Sequence, residues 1–339
     1  MTSGAVANEP DEEHYDSVVR ELAAGSVVPL LGAGVNVCGR PAGLEWQAES
    51  GLYLPSGSEL AEYLASRFSY PTNGAGTTPA ESTGANPAER AQAEEPSEKE
   101  TGSRPLLDLL RVSQYVTVKE GSGPLYRELK LLFDSDYPPT AVHQFFARLP
   151  QTMCPLIVTT NYDDVLERAF GKKCDVLWYI ADPAGDRGKF WHLPAGAKSP
   201  TMINKANTYS LALDGRTVIL KIHGAVDRSK KGYDSPNSFV ITEDHYIDYL
   251  TQTDLSKLLP AAIINALRHS HFLFLGYSMS DWNLRVILHR IWGEQPLSYS
   301  SWAIRTDVDR VESALWGSRD VKVFDIPLER YIAELERRI

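Results

Sequence analysis

The sequence predicts an α/β protein with a Rossmann-like, doubly wound, mostly parallel sheet and a helical insertion after the first strand. Strand-sized apolar runs alternate with helical patterns along the chain, which favours parallel strands joined by helices. Four of these runs end in glycine or polar residues. Because the carboxyl ends of parallel strands share one edge of a sheet, we expect the four loops to face one ligand. The four segments are residues 27–36, 156–164, 218–224 and 272–281.

Length and composition narrow the class of protein. A chain of 339 residues suits one elaborated domain, or one domain with a small helical part. A content of 43% hydrophobic and 23% charged residues is typical of a globular protein in water. The net charge of -10 argues against direct nucleic-acid binding, which needs clustered Lys and Arg. The apolar runs are too short to span a bilayer and the N-terminus is acidic, so we expect a cytoplasmic protein without a membrane anchor.

The cysteines and histidines predict no metal site. The three cysteines are Cys38, Cys154 and Cys174, and none forms a C-x-x-C pair. This usage suits a reducing cytosol and excludes a zinc site of four cysteines. His269 and His271 would share one face of a strand, but a partly exposed strand start explains them better than a metal site does.

We expect an N-terminal tail over residues 1–14 and one domain over residues 15–339. A short helix is predicted over 15–24, and the first strand follows Gly25. The insertion covers about residues 47–150. Residues 71–105 lack large apolar side chains, which predicts a disordered surface loop within the insertion. The helices of the insertion are predicted over 58–68, with Ser58 as N-cap candidate, and over 106–120, 124–133 and 141–149.

The second half of the chain continues the alternation. Helices are predicted over 164–170, over 246–268 with a break near Pro260, over 283–292, and from Leu328 onward. Strands are predicted over 156–159, 176–180, 217–222, 272–275, 301–305 and 321–324.

The first segment contains Gly32, Ala33 and Gly34 directly after an apolar strand. Without side chains, the backbone N–H groups of such a turn can approach a pyrophosphate at a helix N-terminus. The pattern is weak evidence alone, because Val37 stands where the dinucleotide fingerprint has its third glycine. A tight structural turn without a ligand is the alternative, and Asn36 would then be a loop residue.

The second segment places Asn161, Asp163 and Asp164 in one turn between a strand and a helix. One of them is expected to cap the helix. A cap needs only one such side chain, so the others are available to orient a ribose hydroxyl, an amide or a water molecule.

The third and fourth segments add a histidine and another glycine. His223 follows an apolar strand, and Gly224 leaves room beside its ring. At the shared edge such a histidine can act as a general base, whereas a hydrogen-bonded structural histidine is the alternative. Gly276 and Ser278 form a second glycine-bearing loop, and Asp281 is interpreted mainly as a helix cap.

In this order and spacing, the G-A-G, T-T-N-Y-D-D, K-I-H-G and G-Y-S-M-S-D-W-N segments resemble the sirtuin-like domain of bacterial NAD-consuming defence proteins. The resemblance covers about residues 15–325. It implies that the Gly32–Ala33–Gly34 turn faces the NAD phosphates and that His223 is the catalytic base. By the same resemblance, Asn161 with Asp163 lies at the nicotinamide ribose, Asn161 is also catalytic, and Gly276 with Ser278 borders the adenosine side. Asn36 and Thr160 are further candidate contacts with NAD.

The sequence also departs from the deacylating sirtuins. It has no four-cysteine zinc module, and residues 38–46 read CGRPAGLEW where those enzymes have a G-I-P-D-F-R stretch. Asn36 stands where the family usually has serine. The resemblance therefore implies NAD hydrolysis, with NAD as substrate and no further cofactor, rather than protein deacylation.

Regulation is expected because unrestrained NAD hydrolysis harms the cell. We expect gating by homo-oligomerisation or by a partner, and the resemblance suggests a HerA-type ATPase or a short Argonaute. Two other classes stay open: a non-catalytic sensor of NAD or ADP-ribose, and an assembly subunit of a defence complex.

Overall fold

The computed structural model describes residues 9–71, 107–171, 173–180, 188–226, 239–251, 258–277, 299–306 and 310–339. A nine-stranded sheet forms its centre. The strands are β1 (Val27–Leu31), β2 (Leu156–Thr159), β3 (Asp175–Ile180), β4 (Lys189–Leu193), β5 (Thr201–Ile203), β6 (Val218–Lys221), β7 (His271–Leu275), β8 (Ser301–Arg305) and β9 (Val321–Asp325).

The strand order is β5-β4-β3-β6-β2-β1-β7-β8-β9. Strands β3, β6, β2, β1, β7, β8 and β9 run parallel to their neighbours, and β4 and β5 extend the β3 side as antiparallel strands. The mostly parallel α/β fold is confirmed. The antiparallel pair was not predicted, because five and three residues carry too short a pattern to stand out.

Helices flank the sheet and form the insertion. They are α1 (Glu12–Ala23), α2 (Gly57–Arg67), α3 (Leu109–Glu120), α4 (Ser122–Phe133), α5 (Ala141–Arg148), α6 (Val165–Phe170), α7 (Glu243–Thr251), α8 (Ala261–Arg268), α9 (Arg310–Gly317) and α10 (Leu328–Arg338). Helix α8 begins directly after Pro260, which agrees with the break predicted there.

Helix α1 begins three residues earlier than the predicted start at Tyr15. The Asp11 carboxylate accepts a hydrogen bond from the His14 backbone N–H at 2.9 Å, which caps the first turn. His14 is buried, and its Nε2 lies 3.0 Å from the Tyr331 hydroxyl. The start of the helix is therefore fixed by a cap and by packing against α10.

The core lies on both faces of the sheet. Strand β1 is buried along its whole length, with Val28 and Leu30 in one apolar cluster and Val27 and Leu31 in the other. A strand covered by helices on both faces has this continuous apolar sequence.

A third apolar cluster fills the insertion. Leu64, Val116 and Leu129 from its helices pack together with Tyr162 and Val165, which follow β2. The insertion therefore contacts one of the loops at the carboxyl edge of the sheet.

Substitution of Ser56 by alanine is expected to lower the free energy of unfolding by about 1 kcal/mol. Ser56, rather than the predicted Ser58, caps α2: its hydroxyl accepts from the Glu59 N–H, and the Glu59 carboxylate accepts from the Ser56 N–H at 2.8 Å. Such reciprocal pairing satisfies two N–H groups that the helix leaves open. Urea denaturation measures the change.

Ser58→Ala is the matched control, because Ser58 lies in the same turn and its hydroxyl contacts only that of Ser56, at 3.1 Å, among the contacts of the described residues. A change within about 0.5 kcal/mol is expected for it. Equal losses in both variants would show that the cap is not what stabilises this turn.

The loop predicted to be disordered, 71–105, lies outside the described residues apart from Pro71, as does the helix predicted over 283–292. Among the helices that the structure describes, none has the length and apolar composition needed to cross a bilayer.

Candidate functional site

The four segments singled out in the sequence follow four strands that are consecutive neighbours in the sheet. The order β6-β2-β1-β7 is parallel throughout, so their carboxyl ends lie side by side. In open α/β sheets, ligands bind at this edge, where the chain switches from one side of a central strand to the other. Strand β1 is that point here, with β2 on one side and β7 on the other.

The glycine turn after β1 packs against the loop after β7. The Gly34 N–H donates to the Gly276 carbonyl at 2.7 Å, and the Gly32 N–H donates to the Leu275 carbonyl at 3.0 Å. A Cβ on Gly34 would lie 2.6 Å from the Gly276 oxygen. The absence of side chains at Gly32 and Gly34 thus allows the two loops to pack closely. The role predicted for these glycines at the NAD phosphates stays a prediction. Ala33 begins a 3₁₀ helix, Ala33–Val37.

Substitution of Gly34 by alanine is expected to destabilise the protein by about 1 to 3 kcal/mol, the usual cost of overpacking. The atoms that its Cβ would meet belong to the Gly276 backbone and cannot rotate away. Gly276 itself has a φ of +58°, which other residues adopt only with strain. Thermal and urea unfolding measure the loss.

Gly123→Ala provides the comparison, because a Cβ at this position in α4 meets open space. Alanine there is expected to be neutral or to stabilise the helix by up to about 1 kcal/mol. A Gly34→Ala protein as stable as the Gly123→Ala protein would rule out the close contact between the two loops.

Asn36 and Asp163 join the loops after β1 and β2. The Asn36 amide Nδ2 donates to Asp163 Oδ2 at 2.9 Å, and both residues are buried. A carboxylate only accepts hydrogen bonds, so the amide nitrogen must be the atom that faces it. The other oxygen of Asp163 accepts from the N–H of Val165, the first residue of α6, at 3.0 Å. Asp164, one of the three cap candidates, occupies the N-cap position of α6, but its side chain makes no cap hydrogen bond.

Asn161 and Thr160 lie half-buried at the same edge. The Asn161 amide Nδ2 donates to the Gly32 carbonyl at 3.1 Å, and the Thr160 N–H donates to the Leu31 carbonyl at 3.2 Å. Two predicted site residues, Asn161 and Gly32, are therefore in direct contact although 129 positions separate them.

His223 follows β6 and is only 4% exposed. Its backbone carbonyl accepts from the Val240 N–H at 2.8 Å, and its ring meets the Tyr246 ring edge-on, with the centroids 5.4 Å apart. Gly224 forms an isolated bridge with Phe239. Helix α7 and the segment before it thus cover the histidine. Ser278 and Asp281, predicted for the fourth loop, lie outside the described residues.

A cavity of about 100 Å³ lies beside these loops. Of the predicted site residues that the structure describes, only Asn36 lines it. The Asn36 Oδ1 atom is buried and accepts no hydrogen bond from the described residues, although buried polar atoms are normally paired. It is therefore available to accept a hydrogen bond from a ligand. Further lining residues include Leu54, Tyr137, Thr140, His143 and Val165.

Thr140 and His143 belong to the insertion and were missed in the sequence. The Thr140 hydroxyl donates to the Val35 carbonyl at 3.0 Å, which fixes the 3₁₀ helix after β1. His143 Nδ1 accepts from the Thr140 N–H at 3.1 Å. Burial lowers the pKa of His143 to about 4, opposed by the nearby Asp163 carboxylate, so its imidazole is neutral at pH 7. The contact of Thr140 with the turn after β1 carries no local sequence signal, because it spans 105 positions.

The described residues offer neither a metal centre nor a reactive thiol. Within them, no three His, Cys, Asp or Glu side chains come close enough to hold a metal ion. Cys38 and Cys174 are buried, which raises the pKa of each thiol to about 12. A thiol with so high a pKa carries little thiolate and is a poor nucleophile at neutral pH.

Comparison with known proteins assigns this chain to a family. The family model of the SIR2-like domain matches residues 155–324, half of the chain. This chain belongs to the SIR2-like domain family. The match contains the loops after β2, β6 and β7, whereas the glycine turn after β1 precedes it.

Two curated relatives match parts of this SIR2-like chain. Defense-associated sirtuin 2 of Bacillus subtilis is 26% identical over 207 residues, which are 61% of this chain and 17% of that protein. The NAD(+) hydrolase ThsA of Acinetobacter baumannii (strain 532279) is 32% identical over 186 residues, 54% of this chain and 31% of that protein. The chain thus matches less than a third of the length of either relative.

A solved structure, described as a mutant of a Sir2 homologue in complex with ADP ribose, aligns with 97% of this SIR2-like chain and 96% of its own. The two chains are 13% identical, and the TM-score is 0.39. The fold assignment therefore rests on the sheet of this chain alone.

Proposed function

We propose that this SIR2-like chain hydrolyses NAD to nicotinamide and ADP-ribose and acts as the effector of a bacterial antiphage defence system. The observation that carries the proposal is the arrangement of Asn161 and His223 after the adjacent parallel strands β2 and β6, beside the glycine turn after β1. One similar protein is named an NAD(+) hydrolase and another a defense-associated sirtuin, which supports the substrate and the biological setting.

The reaction exchanges one bond for another. The bond between ribose C1 and the nicotinamide nitrogen breaks, and its electron pair leaves with nicotinamide. Water forms the new C1–O bond and releases one proton. Such glycosidic bonds break through a transition state with oxocarbenium character, so the protein must hold the ribose and place water at C1.

Each residue of the site has a separate role in this reaction. Asn161 orients the water or a ribose hydroxyl, and His223 accepts the proton. Asp163 and Asn36 form a hydrogen-bonded pair at the nicotinamide ribose, and the free Oδ1 of Asn36 accepts from the ligand. Thr160, Gly276 and Ser278 complete the surface around NAD. No step needs a metal ion or a second cofactor.

The burial of His223 supports a gated enzyme. A base that is 4% exposed and packed against the Tyr246 ring has little access to bulk water in this arrangement. The Asn161 amide is likewise engaged with the Gly32 carbonyl. We propose that homo-oligomerisation or a separately encoded partner, such as a HerA-type ATPase or a short Argonaute, produces the active arrangement.

Release of nicotinamide from NAD by the purified chain tests the proposal. The assay covers a wide range of protein concentration, with and without each candidate partner. Turnover that rises with concentration or with a partner is expected. Full turnover at the lowest concentration, without a partner, would rule out gating but would still support NAD hydrolysis.

The second candidate is a non-catalytic sensor of NAD or ADP-ribose, or an assembly subunit. The same burial of His223 favours it, because a buried imidazole also suits a purely structural role. Calorimetric titration separates the two: NAD binding without nicotinamide release under every condition would favour the sensor.

A further inference from the structure

A buried lysine links the loop that carries Asn161 to the strand that precedes His223. Lys221, the last residue of β6, is 1% exposed, and its Cα is in register with Thr159 on β2. Lysine is rarely buried so completely unless its charge is paired. The three residues before it in β6 are all apolar, so the sheet itself does not require a charge here.

The ammonium of Lys221 joins three elements. Its Nζ donates to the backbone carbonyl of Asp163, in the loop after β2, and to Glu167 Oε1 on α6 at 2.6 Å. Burial raises the pKa of the Glu167 carboxyl, and the Lys221 charge opposes that rise. A carbonyl and a carboxylate together compensate part of the cost of removing an ammonium from water.

We infer that Lys221 is a positioning residue, which fixes the loop carrying Asn161 and Asp163 relative to His223. Lys221 stands two residues before His223, and the carbonyl it holds belongs to a residue two positions after Asn161. One side chain therefore sets the spacing between the proposed water-orienting amide and the proposed base. This inference rests on the proposed function.

Two variants separate positioning from stability. Lys221→Met keeps the length of the side chain but removes both hydrogen bonds, and leaves the half-buried Glu167 carboxylate without its cation. The double variant Lys221→Met/Glu167→Met removes that acid as well. We expect the single variant to be less stable than wild type and the double variant to recover stability.

Turnover should not recover with stability. Both variants lack the link to the Asp163 carbonyl, so kcat for nicotinamide release is expected to be about 10- to 100-fold lower in both, a size typical of a misplaced reacting group. KM for NAD is expected to change less than kcat, because the link acts on the reacting geometry. Return of kcat to the wild-type value in the double variant would overturn the inference.

Arg338→Met is the matched control. The Arg338 side chain is 10% exposed and pairs with Glu12 and Glu334, in the contact between α1 and α10. Its loss removes another covered cation without touching the loops at the carboxyl edge. We expect lower stability and unchanged kcat for the folded protein.

Hydrogen exchange keeps the inference testable if the wild-type chain releases no nicotinamide. Amides 160–164 are expected to exchange faster in the single and double Lys221 variants, whereas those of β1 stay protected. Wild-type inactivity at every concentration and with every candidate partner, together with faster exchange, would reject the hydrolase and keep the positioning role. Unchanged exchange at 160–164 would reject the positioning role, whatever the activity.

Discussion

Replacement of His223 by alanine lowers the rate of nicotinamide release by about 100- to 10,000-fold, the range for loss of a general acid or base. The prediction applies under the condition in which wild type turns over. Water attacking ribose C1 must lose a proton, and His223 is the titratable side chain that follows β6 directly, next to the Asn161 loop. NAD affinity is expected to change by less than about 10-fold, because the base acts mainly in the transition state.

His192→Gln is the control variant, because His192 is a buried histidine outside the four loops. Its ring hydrogen-bonds Asp175 and Tyr209 from the antiparallel strand β4, and it is 5% exposed. Its loss is expected to lower stability while turnover per folded molecule stays at the wild-type level. Initial rates at saturating NAD, corrected for the folded fraction, make the two variants comparable.

Asn161→Ala tests the other proposed catalytic residue. Its amide is expected to contribute to the orientation of water or ribose, so kcat falls here too. A His223→Ala enzyme within about 10-fold of wild type would remove the assignment of the base, since general acid–base catalysis contributes at least about 100-fold. If kcat also survived in Asn161→Ala, the chemistry would have to lie elsewhere in the fold.

The position of the candidate site could be predicted because each part of it carries a local signal. An apolar run of strand length that ends in Gly32 or His223 identifies a strand and the loop after it. The parallel sheet then brings such loops to one edge. The observed neighbours β6, β2, β1 and β7 confirm this step, although nothing in the sequence orders them.

The contributions of Thr140, His143 and Lys221 could not be predicted, for two physical reasons. The insertion meets the glycine turn through a hydrogen bond between Thr140 and Val35, 105 positions apart, and no periodicity reports such a contact. A lysine at the end of a strand is ordinarily solvated, so the burial of Lys221 is visible only once Glu167 and Asp163 surround it.

The predicted helix starts were wrong where more than one nearby residue could cap the helix. Ser56 and Ser58 are both suitable near the start of α2, and the pairing with Glu59 selects the first. The sequence Asp11–Glu12–Glu13 already contained a cap and an acidic first turn for α1, but the prediction began at the first apolar residue, Tyr15.

The free energy of unfolding is expected to fall steeply as the pH falls below 6.5, because two histidines are buried in their neutral form. His14 and His143 are 7% and 1% exposed, and burial lowers the pKa of each from 6.5 to about 4. Asp11 partly opposes the shift at His14, as Asp163 does at His143. Between these pH values the unfolded chain binds a proton at each site and the folded chain does not. The stabilisation is complete above pH 6.5 and is lost as the pH falls toward 4.

Each pKa shift corresponds to about 3 kcal/mol of unfolding free energy, because one pKa unit is worth about 1.36 kcal/mol. Urea denaturation from pH 6.5 to about pH 5 gives the slope of the unfolding free energy before most carboxylates titrate. His14→Gln and His143→Gln are each expected to reduce that slope by up to about 1.4 kcal/mol per pH unit. The slope, unlike the stability itself, is insensitive to any constant cost of the substitution. An unchanged slope in both buried-site variants would mean that each imidazole binds protons equally in the folded and unfolded chains, so that the acid sensitivity must come from the carboxylates.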